Sequence, residues 1–117
     1  MKGEKGMDLQ LKNKIACITG GSVGIGLGIA KELAKEGVHL ALCARNEERL
    51  QKVAQQIREE HSVKVLAVKA DVSKMEDIQN FVKEIERSYG GVDILVNNAG
   101  TGSAEKIMTA PDERWYY

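Results

Sequence analysis

At 117 residues the chain has room for one domain with a single hydrophobic core and little more. Its 43% hydrophobic and 29% charged content reads as a soluble globular protein, and no apolar run approaches the roughly 20 residues of a membrane span. Lys plus Arg and Asp plus Glu both number 17, which excludes a net field that would draw the chain to nucleic acid or lipid.

Residues 1–11 mix charge and glycine and lack the apolar core of a signal peptide, so we expect a flexible tail there and a cytoplasmic domain over residues 12–117. The first strand is expected at residues 14–19, short and continuously apolar, as a central parallel strand should be. It runs into Thr19-Gly20-Gly21-Ser22-Val23-Gly24-Ile25-Gly26. A buried strand that ends in a glycine-rich turn and opens a helix suits a dinucleotide pyrophosphate. Glycine permits positive φ and close approach there, and the helix start offers free N–H groups and a positive dipole end. The helix is predicted over residues 24–36, with Ile25, Ile29 and Leu33 as its apolar repeat, small Gly26 and Ala30 for close packing, and Gly37 as its left-handed cap.

A second strand is expected at residues 38–44, followed by Arg45 and by Asn46 as the cap of a helix whose stripe is Leu50, Val53, Ala54 and Ile57. The charged residues around that stripe read as a solvated face. A third strand at residues 63–68 leads into Ala70-Asp71-Val72. Ser73-Lys74-Met75-Glu76 then has the spacing of a capping box, and the helix it opens carries Ile78, Phe81, Val82, Ile85 and Tyr89 before Gly90-Gly91 stops it. The fourth strand, residues 92–96, exits through Asn97-Asn98-Ala99-Gly100, and residues 109–112 look like a further helix start. Cys17 and Cys43 lie in apolar strand runs and read as buried reduced thiols. His39 and His61 have no metal-ligand spacing, so no metal is expected.

Alternating strands and helices dictate parallel strands with right-handed crossovers. The fold class expected is therefore α/β, a Rossmann-like doubly wound sheet in the order 3-2-1-4, whose ligand crevice opens at the carboxyl ends of strands one and four. The glycine turn and the residue 97–100 turn meet there.

Three motifs, residues 19–26, Asp71-Val72 and Asn97-Asn98-Ala99-Gly100, occur in the order in which they stand in the short-chain dehydrogenase/reductase family, which residues 12–117 resemble. That resemblance implies a nicotinamide cofactor. It places the pyrophosphate and adenosine ribose on Gly20, Ser22, Gly24, Ile25 and Gly26, the adenine amino group on Asp71 with Val72 beside the ring, and further cofactor contacts on Asn98, Ala99 and Gly100. Asn97 is implied to brace the sheet. Where a carboxylate would select NAD(H), the second strand ends in Ala44 and Arg45, so NADP(H) is expected over NAD(H). Val23 stands where NADP-using relatives often carry a second basic residue, and Ser22 could supply one hydrogen bond instead.

The family's Y-x-x-x-K pair has no counterpart: Tyr89 is followed by Asp93, and Tyr116 and Tyr117 by nothing. No catalytic residue is therefore assigned. The chain reads as the cofactor-binding half of an oxidoreductase, inactive alone, whose homo-oligomeric parent moves hydride between NADPH and a carbonyl or alcohol substrate. The alternative is a non-catalytic nucleotide-binding or assembly module. Truncation beside the fourth strand would leave an apolar edge prone to self-association.

Overall fold

In the computed structural model, residues 11–22 and 24–98 are described. They form β1 (Ile15–Thr19), α1 (Gly24–Lys35), β2 (His39–Ala44), α2 (Glu47–His61), β3 (Val65–Lys69), α3 (Met75–Tyr89) and β4 (Ile94–Asn97). The four strands are parallel in the order β3-β2-β1-β4, as the alternation predicts. Ala16 to Thr19 of β1 are buried on both sides because β1 pairs with β2 and β4 and lies between two helical layers. This explains its lack of polar alternation.

Alternate residues feed two cores. Ala16, Ile18, Leu40 and Leu42 pack with Ala30 and Ala34 of α1 and with Leu50, Val53, Ala54 and Ile57 of α2. Cys17, Ala41, Cys43 and Leu95 face the other way and pack on Ile78, Phe81 and Ile85 of α3. Of the tail expected over residues 1–11, only Leu11 is described, and it packs against the first core. Residues 1–10, Val23, Ala99, Gly100 and the helix start expected at residues 109–112 lie outside the described residues.

The face of α1 differs from the expected one. Its buried residues are Gly26, Ala30 and Ala34, while Ile25 is 75% exposed and Ile29 and Leu33 are only half-buried. Small side chains let the helix backbone settle onto the sheet, and the larger ones flank that line of contact. The strands β3 and β4 start two residues later than expected, at Val65 and Ile94. The start of α3 is a further correction. Lys74 is the N-cap, its ammonium has no acceptor with which to cap, and the Ser73 hydroxyl expected to do so turns back to Asp71. Asn46 does cap α2, accepting the Arg49 N–H at 3.0 Å. Gly37 and Gly90 close α1 and α3 with φ of 86° and 82°.

Candidate cofactor site

The loop after β1 is built from backbone contacts. Gly20 has φ 69°, and the N–H groups of Gly20 and Gly21 both donate to the Cys43 carbonyl, at 2.9 and 3.4 Å. The glycine turn is thereby tied to the end of β2. Gly24 opens α1 with φ 59°. Gly26 lies directly under the loop: a Cβ there would overlap the Gly20 carbonyl oxygen and stand 2.8 Å from Asn98 Nδ2. Asn98 Nδ2 itself donates to the Gly20 carbonyl at 3.3 Å. The turns leaving β1 and β4 are thus joined at the switch point, where Gly20, Gly26 and Asn98 meet. Beside them, fully buried Thr19 donates through Oγ1 to Asn97 Oδ1 at 3.2 Å, across the β1–β4 register pair. Asn97 therefore works within the sheet. Its buried Nδ2 has no hydrogen-bond partner among the described residues.

A cavity of about 480 Å³ opens next to this junction. It brings together Gly20, Ser22, Arg45, Asp71 and Val72 of the expected cofactor residues. Gly24, Ile25, Gly26 and Asn98 do not line it; Gly26 and Asn98 meet Gly20 at the switch point, Gly24 and Ile25 stand exposed at the start of α1, and Ala99 and Gly100 lie outside the described residues. The Ala70 N–H donates to the Ala44 carbonyl at 3.0 Å, which holds the chain leaving β3 against the end of β2. This is why Asp71 and Arg45, 26 positions apart in sequence, share one cavity.

Asp71 is anchored on both its side chain and its backbone. Its Oδ1 accepts the Ser73 hydroxyl at 2.6 Å and the Ser73 N–H at 2.9 Å, and its own N–H donates to Asp77 Oδ2 at 2.8 Å. The hydrogen bonds from Ser73, helped by the nearby charges of Arg45 and Lys74, hold the carboxyl below the usual carboxylate range. Asp71 is a fixed anion and acceptor. Cys43 also borders the cavity, but burial pushes its thiol up to about 12 and Cys17 well above its ordinary value, so neither is a nucleophile.

Sequence reasoning missed two contributors to the wall. Arg49 lines the cavity from the first turn of α2, and Asn46 lines it as well as capping the helix. The available signal was position: Arg45 and Arg49 flank the Asn46 cap, so both fall at the head of one helix. Among the described residues there is no group of three His, Cys, Asp or Glu side chains that could hold a metal, and no helix long and apolar enough to cross a membrane.

Parallel order 3-2-1-4, a glycine loop at the switch point and an acid after β3 define a Rossmann-type nucleotide-binding fold. The short chain dehydrogenase family model matches residues 14–117, and the chain belongs to the short-chain dehydrogenase/reductase family. An uncharacterized oxidoreductase of Staphylococcus epidermidis is 39% identical over 106 residues, which are 91% of this chain and 44% of that one. Farnesol dehydrogenase of Aedes aegypti is 46% identical over 87 residues, 74% of this chain and 36% of its own. Among solved structures, L-sorbose reductase of Gluconobacter frateurii, complexed with NADPH and L-sorbose, superimposes with a TM-score of 0.78 at 50% identity, covering 93% of this chain and 41% of that one. An alcohol dehydrogenase of Thermococcus sibiricus complexed with 5-hydroxy-NADP gives 0.70 at 43% identity, over 72% of this chain and 36% of that one. The chain spans less than half the length of these relatives.

Proposed function

We propose that this chain is the cofactor-binding half of an NADP-dependent oxidoreductase that moves hydride between NADPH and a small carbonyl or alcohol compound. The observation that carries the reading is the end of β2, where Ala44 and Arg45 border the cavity opposite Gly20 and no carboxylate occupies that place. A guanidinium there favours a ribose 2′-phosphate, whereas an acid would repel it. The residues fit the group. Gly26 leaves backbone-to-backbone contact beneath the loop, Gly20 takes a positive φ, and Asp71 presents a fixed carboxylate to an adenine amino group. Bound NADPH supplies the hydride. The chain's own residues bind and orient the dinucleotide, and the proton transfer belongs to a Y-x-x-x-K pair that these 117 residues do not contain. The NADPH of the L-sorbose reductase complex and the 5-hydroxy-NADP of the alcohol dehydrogenase complex support the reading.

Titrating Arg45→Ala with NADPH and NADH tests it. Loss of one charge-assisted contact costs about 1.5–3 kcal/mol, which is roughly ten- to a hundred-fold in NADPH affinity at about 1.4 kcal/mol per decade. NADH affinity should stay within about twofold. Equal losses for the two cofactors would refute the assignment.

A further inference from the structure

We infer that Arg49 is a second cationic arm for the ribose 2′-phosphate, closing on it from α2 while Arg45 approaches from the end of β2; this rests on the NADP reading above. Among the described residues there are four arginines, and they divide cleanly. Arg58 donates to the Val65 carbonyl at 2.6 Å, and Arg87 pairs with Glu84 at 3.0 Å. Arg58 thereby ties α2 to β3, and Arg87 is paired within α3. Arg45 and Arg49 form no ion pair or side-chain hydrogen bond among the described residues, and both line the same cavity. The acid nearest to them in function, Asp71, has its Oδ1 committed to Ser73 and lies beyond ion-pair distance of either guanidinium.

The placement is fixed by the helix start. Arg45 immediately precedes the N-cap Asn46, and Arg49 is the residue whose N–H that cap receives. The Asn46 bond therefore sets the distance between the two arginine backbones, and Asn46 itself lines the cavity between them. Glu47 and Glu48 occupy the first turn and offset the positive helix end, but neither borders the cavity. The dipole alone thus offers little to an anion here, and the guanidiniums carry the attraction. A phosphate monoester carries a charge of about −1.5 to −2 near neutral pH. One guanidinium leaves much of that charge uncompensated, and two match it with planar donor forks.

The test compares 2′,5′-ADP with 5′-AMP, which differ only in the 2′-phosphate, by calorimetric titration of the full-length protein. Arg49→Ala should weaken 2′,5′-ADP on the order of tenfold, the effect of one charge-assisted contact. It should leave 5′-AMP within about twofold. Arg49→Lys, which keeps the charge and loses the fork, should fall between wild type and alanine. Arg49 is exposed, so the unliganded melting temperature should not move. Equal weakening of both ligands, or no weakening of either, would overturn the role of Arg49. If wild type fails to prefer 2′,5′-ADP at all, the NADP reading falls and this inference with it. If wild type prefers it, and Arg45→Ala but not Arg49→Ala removes the preference, only the second arm is refuted.

Discussion

Two glycines on one helix have opposite roles. Gly26 is required by space: a Cβ there meets the Gly20 carbonyl oxygen and Asn98 Nδ2, one of them backbone that cannot yield. Gly28 is one half-turn on, exposed, with nothing within 4 Å of a built Cβ and no positive φ. Gly26→Ala should destabilise the fold by about 1–3 kcal/mol, the usual range for overpacking. Gly28→Ala should stabilise it by up to about 1 kcal/mol through helix propensity alone. Urea denaturation of the two variants decides the point, and similar shifts of the same sign would contradict the packing described here. The need for Gly26 was legible, since its place in the loop and its small size both pointed to close approach. The exposure of Ile25 was not. The Ile25, Ile29, Leu33 repeat has helical spacing, but periodicity cannot tell which of two adjacent stripes meets the sheet when the rival stripe is made of Gly and Ala.

At the level of elements, the two helix starts that border the cavity are built differently. Asn46 makes a true capping bond at the head of α2, whereas Ser73 spends its hydroxyl on Asp71 at the head of α3. Asn46→Ala should therefore cost about 1 kcal/mol of stability. Ser73→Ala should raise the pKa of Asp71, since the Ser73 hydroxyl bond is the largest cause holding it down, and by linkage any stability lost should be confined to pH values above that pKa. Calorimetric melts and an NMR titration of the Asp71 carboxyl would separate the two roles. A large thermal loss in Ser73→Ala with no change at Asp71 would restore the capping box. The spacing from Ser73 to Glu76 suggested that box, and what overrode it was a carboxylate two residues back that no sequence template weighs. Arg49 escaped notice for a related reason. On a helix rich in Glu, Gln and Arg, one cation on the cavity side looks like any other until the fold shows that β3 ends beside it.

For the molecule as a whole, the sheet order and the meeting of the turns after β1 and β4 followed from strand–helix alternation, because right-handed crossovers leave few other arrangements. Alternation does not reveal which titratable groups end up on one side of the sheet. Cys17 and Cys43 are buried in the α3-side core, and Tyr89 packs against that core with its hydroxyl donating to the Leu40 carbonyl at 2.9 Å. Burial raises all three, Cys43 and Tyr89 each to about 12. The sign is the same for each. The unfolded chain releases these protons first, so the stability they confer is complete below the unfolded thiol value near 8.5 and declines as pH rises from there toward 12. Each thiol contributes a slope of up to about 1.4 kcal/mol per pH unit in that window. Under reducing conditions, urea midpoints should fall between pH 8 and 10.5, and a Cys17→Ala, Cys43→Ala variant should show a shallower decline. An identical decline in the variant would trace the alkaline loss to other groups.

The stretch of wall formed by Cys43 to Asn46 together with Arg49 has an engineering consequence. Its ends are moored independently of its middle: the Cys43 carbonyl is held by the glycine turn, and Leu50 is fully buried in the opposite core. The residues between them, Arg45 and Asn46 among them, face outward into the cavity or solvent. On the NADP reading proposed above, coenzyme preference is modular, carried by one short exchangeable stretch that holds Arg45, Asn46 and Arg49. Exchanging those side chains would then leave untouched the Gly20, Gly26 and Asn98 junction proposed to take the part common to every dinucleotide.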